Sequence, residues 1–135
     1  MPAGLQIVDA GKPWEKALPY SQSIRVQSGP LLFLSGQVAL GADGKLVGGE
    51  DLSAQTRQVF TNIKDLVEAA GSSMEKVVKL TYFIIDAQQW PIVAAVRSEF
   101  FPVHHPASSV VEVSKLLLQR ELPYLIEVEA IAIAG

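Results

Sequence analysis

The stretch Tyr124–Gly135, YLIEVEAIAIAG, decides how the chain is read. Side chains two apart on a strand share a face. Leu125, Glu127, Glu129, Ile131 and Ile133 therefore point one way, and Ile126, Val128, Ala130 and Ala132 the other. The second set is wholly apolar and reads as core, so this strand needs a covering layer. The first set carries two carboxylates about 7 Å apart, twice the strand rise. Such a pair beside apolar neighbours is a water-positioning or proton-transfer site if partial burial raises one pKa. Alternatively it is a solvated face, or an ion pair across strands with Arg25 or Lys79. Charged strand residues are mostly exposed, which favours the second reading.

Working outward, the covering layer is found in two helical segments. From about Leu52 to Ala70, Val59, Ile63, Leu66, Val67 and Ala70 fall on one face, and Arg57, Asp65 and Glu68 on the other. Asp51 or Ser53 can cap its start, and Gly71 supplies the left-handed residue that ends it. Pro91 suits the first turn of a second helix that carries Ile92, Val93, Val96 and Phe100 inward and stops before Pro102. Strand patterns occupy Leu5–Val8, Tyr20–Gln27, Val77–Ile85 and Ser108–Val113. LLFLSGQVAL, from Leu31, is nearly continuous in apolar residues and is expected to be buried on both faces. Its Ser35-Gly36 interruption predicts a bulge or a close approach by backbone or ligand. KLLLQRELP, 115–123, reads as irregular. The order is β-β-β-α-β-α-β-β: one α+β domain over 1–135, a mixed sheet with two helices packed on one face.

Composition narrows the function. A chain of 135 residues with net charge −3 and no Lys/Arg cluster argues against a nucleic-acid partner. Zero cysteines exclude disulfides, thiolate metal sites and a cysteine nucleophile. With 49% hydrophobic residues and mean hydropathy +0.27 the chain is greasy for a small monomer, so a subunit interface is expected. The N-terminal segment lacks the pattern of a secretory signal, and no run approaches the ~20 apolar residues that cross a bilayer. The expectation is a soluble cytoplasmic protein without a membrane partner.

HHPASSVVEV, His104–Val113, looks like a place for chemistry. Adjacent histidines in a loop converge poorly on one metal, and no third ligand stands at metal spacing, so no metal is expected. Ser108 and Ser109 lack the glycine frame of a nucleophile elbow. A turn leading into a strand accounts for the stretch.

Taken together, LPYSQSI (18–24), LLFLSGQV (31–38), QTRQVFTNIKDLVEAAGSS (55–73), VVKLTYFIID (77–86), EFFPVHHPASSVVEV and IEVEAIAIAG resemble the RidA/YjgF family, also labelled L-PSP endoribonuclease or Rid deaminase. The likeness runs from about residue 15 to 135. It implies a chorismate-mutase-like α+β fold, assembled as a homotrimer with small-molecule clefts between subunits. It also implies cofactor-free hydrolysis of 2-imino and enamine acids to 2-keto acids and ammonia. Carried over by position, Tyr20 lines the cleft, the backbone at Ser35 and Gly36 approaches the ligand, and Glu127 holds the attacking water. Glu129 is the second, structural glutamate. The family's cleft arginine lies in P-A-R-S-x-V-x-V, which here reads Pro106-Ala107-Ser108-Ser109-Val110-Val111-Glu112-Val113. Ser108 stands in the arginine's place, offering one neutral hydrogen bond where a guanidinium would grip a carboxylate with two charged ones. Ser108 and Ser109 are expected to shape the pocket. A non-catalytic ligand-binding or chaperone-like module is the alternative, and ribonuclease activity fits the acidic balance least.

Overall fold

The computed structural model describes residues 4–117 and 123–134. Its elements run β1 (Leu5–Ile7), β2 (Ile24–Val26), β3 (Leu31–Gln37), α1 (Leu52–Ala69), β4 (Val77–Ile84), α2 (Trp90–Phe100), β5 (Ala107–Glu112) and β6 (Ile126–Ile133). The predicted order holds, with shorter strands. Four strands form one mixed sheet in the order β3-β6-β4-β5, with β4 and β5 parallel and the other neighbours antiparallel. The YLIEVEAIAIAG strand is thus central. Strands β1 and β2 pair with each other in a separate two-stranded sheet. Most of the 115–123 stretch read as irregular lies outside the described residues.

The period-two reading of β6 is reproduced in its burial. Ile126, Val128, Ala130 and Ala132 are buried with Leu80, Tyr82 and Ile84 of β4 under the two helices. Phe60 of α1 fills the centre of this layer, edge-on to Tyr82 and Phe101 and tilted against Phe100. Each fully buried side chain of this size stabilises the fold by about 1.5–3 kcal/mol. On the other face the small β1–β2 sheet covers only one end, where Leu5, Val78 and Ile133 pack with Ile24, Val26 and Ile131.

Three expectations need correction. The apolar run of β3 is not buried on both faces: Leu31 is 49% and Phe33 69% exposed. It is an edge strand, and both helices lie on the opposite face. Leu66 and Ile92 are also exposed, whereas Gln55, Thr56 and Arg97 are buried on the helices' inner sides. The strand expected at Tyr20–Gln27 is regular only over Ile24–Val26, because Ser21 turns away into a bridge with Ala107 and its Oγ donates to the His105 carbonyl.

The expected helix ends are present. Asp51 accepts from the Ser53 and Ala54 amides at 3.0 and 3.3 Å. At the far end Gly71 has φ +77°, and the Gly71 and Ser72 amides donate to the carbonyls of Glu68 and Val67. That pair of bonds is the Schellman closure, which a left-handed glycine permits without a Cβ penalty. Gln55, fully buried one turn into α1, donates to the carbonyls of Gly49 and Pro123 at 2.6 and 2.7 Å and accepts from the Leu125 amide at 2.9 Å. This clamp fixes the start of β6, and hence Glu127, against the helix.

Candidate functional site

The sheet register sorts the sequence-predicted residues into two groups. Ser108 is opposite Leu80, which is opposite Ala130, so Ser108 lies on the helix-covered face. Glu127 is opposite Phe83 and lies on the other face. One chain therefore does not bring Ser108 and Glu127 together. Ser109, next along β5, faces away from Ser108 and accepts from Lys79 Nζ at 2.8 Å. The two serines do not line one pocket within a chain.

The first group stands at the free edge of β5. The Ser21–Ala107 bridge draws the segment carrying Tyr20 against this edge. Pro19, Tyr20, Trp90, Arg97, Ser108 and Val110 line a pocket of about 260 Å³ there. Two of these, Tyr20 and Ser108, were singled out in the sequence. Arg97 was not. It is only 8% exposed, and its guanidinium carbon lies 5.6 Å from the centre of the Trp90 ring. Beneath Trp90, Tyr82 meets the indole edge-on at 4.9 Å, and its hydroxyl is buried without a hydrogen-bond partner. Burial pushes the Tyr82 phenol well above its ordinary value, with Arg97 opposing the shift.

The second group lies between β3 and β6. Pairing is regular through Leu34–Ala130 and resumes at Gln37–Val128, so Ser35-Gly36 forms the expected irregularity. The group that comes close is the Glu127 carboxylate. A Cβ built on Gly36 would stand 2.0 Å from Glu127 Oε2. Glycine at 36 is thus what lets the half-buried Glu127 side chain lie across the β3 backbone. Glu129 is exposed and opposite Thr81. Neither cation proposed for the glutamates is engaged with them: Lys79 donates to Ser109 and Arg25 to Gln6. The ion pair found among the described residues is Arg57–Glu99, between the helices.

The histidines belong to neither group. His104 Nε2 contacts the Val77 carbonyl, and its Nδ1 is buried without a partner. Burial, the largest influence, holds this imidazole below its ordinary pKa, with the Val77 carbonyl opposing. Both histidines line a larger, mainly apolar cleft of about 480 Å³ with Ile7, Glu75, Phe101 and Val103 among its walls. Among the described residues, no three His, Asp or Glu side chains are grouped to hold a metal. No helix among them is long and apolar enough to cross a membrane.

Residues 12–134 match the family model described as Endoribonuclease L-PSP. The chain belongs to that family. A RutC family protein of Pyrococcus horikoshii is 42% identical over 115 residues, 84% of this chain and 86% of the relative. The 2-iminobutanoate/2-iminopropanoate deaminase of Salmonella typhimurium is 38% identical over 118 residues, 85% of this chain and 87% of the relative. Among solved structures, the Rid-family protein YyfB of Yersinia pestis superposes with TM-score 0.85 at 30% identity, covering 96% of this chain and 98% of that one. The α+β fold, with two helices on one side of a mixed sheet, is thus the Rid fold that the motifs implied. In this L-PSP family chain Ser108 opens onto a pocket that also contains Arg97.

Proposed function

We propose that the chain forms a homotrimer whose clefts, between subunits, bind a small 2-imino acid and hydrolyse its C=N bond. The observation that carries the reading is the split of the site across the sheet. Tyr20 and Ser108 open at the β5 edge, while Glu127 rests on Gly36 on the uncovered face. Residues so divided meet only when one copy's edge is set against another copy's uncovered face. The exposed Leu31 and Phe33 of β3, and Val111 of β5, supply apolar surface for that contact. The naming of the Salmonella relative as an imino-acid deaminase supports the substrate class.

In this reading Glu127 accepts a proton from a water molecule as the water oxygen attacks C2 of the imine. Glu127 passes that proton to the imine nitrogen, giving a neutral carbinolamine. The hydroxyl proton then moves through Glu127 to the amine nitrogen as the C–N bond breaks and the keto group forms, so that NH3 departs and Glu127 is again ionised. Positioned acid–base help of this kind contributes roughly 10²–10⁴-fold. Freshly generated 2-iminopropanoate should release ammonia faster with the protein than in buffer, and Glu127→Ala should remove most of that increment. Wild-type rates in Glu127→Ala would dismiss Glu127 as the water-holding group. Absence of any rate increment, alongside saturable binding of 2-keto acids, would instead favour the ligand-binding module.

A further inference from the structure

Among the described residues, a buried cation without an anion stands on α2. Arg97 is 8% exposed on α2, and no carboxylate pairs with it among the described residues. Glu99, two residues on, is held by Arg57 at 2.7 Å. The guanidinium carries five N–H donors in a planar fork and cannot shed its charge. Burying such a group is costly unless it is paired and hydrogen-bonded, and the Trp90 face offsets only part of that cost. The buried, unpartnered Tyr82 hydroxyl beneath Trp90 adds a second polar group in want of a partner. Arg97 is itself part of the wall of the pocket that holds Tyr20 and Ser108.

We infer that Arg97 is the anion anchor of this pocket, binding the carboxylate of a small monocarboxylic acid from the helix side. Arg97 thereby supplies, from α2, the charge that Ser108 does not supply from β5. Pro19, Trp90 and Val110 give the pocket apolar walls, suited to a short aliphatic side chain on the acid. The Tyr20 hydroxyl is left for the keto or imino group, and Ser108 Oγ, which donates to the Pro106 carbonyl at 3.2 Å, can offer it a lone pair. The inference rests on the reading of this pocket as half of the ligand cleft, and names the residue that selects for acids there.

The test uses 2-oxobutanoate and its neutral amide, 2-oxobutanamide, titrated into the intact protein and followed by NMR shifts. Wild type should bind the acid at least tenfold more tightly than the amide. Arg97→Met should lose that preference, and Arg97→Lys, with charge but no fork, should fall between. Because methionine replaces an unpaired buried charge with an apolar chain, Arg97→Met should melt no lower than wild type. An unchanged acid preference in Arg97→Met overturns the assignment. So does a lowered melting temperature that Arg97→Lys restores without change in acid binding, which marks a purely structural role. If wild type prefers no acid but Ser108→Arg does, the pocket reading stands and the Arg97 anchor falls. If neither binds acid or amide, both fall.

Discussion

The two faces of the main sheet are built from the same kind of strand and meet different ends. On one, Leu80, Tyr82, Ile84, Ile126, Val128 and Ala130 vanish under α1 and α2. On the other, Phe33 and Leu31 remain in solvent, and among the described residues the cover is the small β1–β2 sheet at one end. The first face is finished by its own chain. The second leaves Leu31, Phe33 and Val111 exposed, where the trimer contact is proposed. Part of the high hydrophobic content read from the sequence lies exposed here, on the face that also carries Glu127.

Breaking the uncovered face should give the largest effect. Phe33→Asp puts an unpaired charge where the trimer contact is proposed, at a cost of about 3–5 kcal/mol per interface. Light scattering should report a monomer, with the helical circular dichroism retained. An unchanged oligomer would place the contact elsewhere. The covered face should respond differently. Ile63→Ala, introduced into the Phe33→Asp background so that assembly does not contribute, should lose about 2–5 kcal/mol in urea unfolding. A loss below about 1 kcal/mol would mean that the face under α1 is less tightly packed than its burial indicates.

The smallest effect concerns the seam between α2 and β5, where His104 meets Val77. Burial favours its neutral form in the folded chain, so the unfolded chain binds the proton more readily. Stability from this group is therefore complete above the ordinary histidine value of ~6.5 and falls as the pH drops from there toward the lowered folded value. His104→Gln should flatten the fall in melting temperature between about pH 7 and 5. An equally steep fall in the variant would assign the acid sensitivity to other groups.

Much of this was legible in the sequence because it depends on local periodicity. Alternation in β6, the 3.6-residue rhythm of α1, Asp51 and Gly71 at its ends, and the break at Ser35-Gly36 each report a backbone requirement. What failed depended on tertiary setting. An apolar run such as β3 reads the same whether helices or another copy cover it. The loss of regular strand before Ile24 goes with a Ser21 side-chain bond to the His105 carbonyl that no alternation reports. Arg97 was overlooked because an isolated arginine on a helix reads as solvent-facing. A signal was present: Trp90, Val93, Arg97 and Phe100 fall three or four apart, so Arg97 lies on the stripe that faces inward. Gln55 had a similar signal, four before Val59.

One consequence of the strand order concerns how the chain is made. Strand β6 is last in sequence, yet it stands between β3 and β4. Until it emerges during synthesis, those two strands have no common partner and the halves of the sheet cannot join. Helices α1 and α2 can form beforehand, but they have only an incomplete surface to cover. Joining the sheet then waits for β6, and a chain cut short before Ile126 should collapse without a sheet to organise it, leaving aggregation-prone edges.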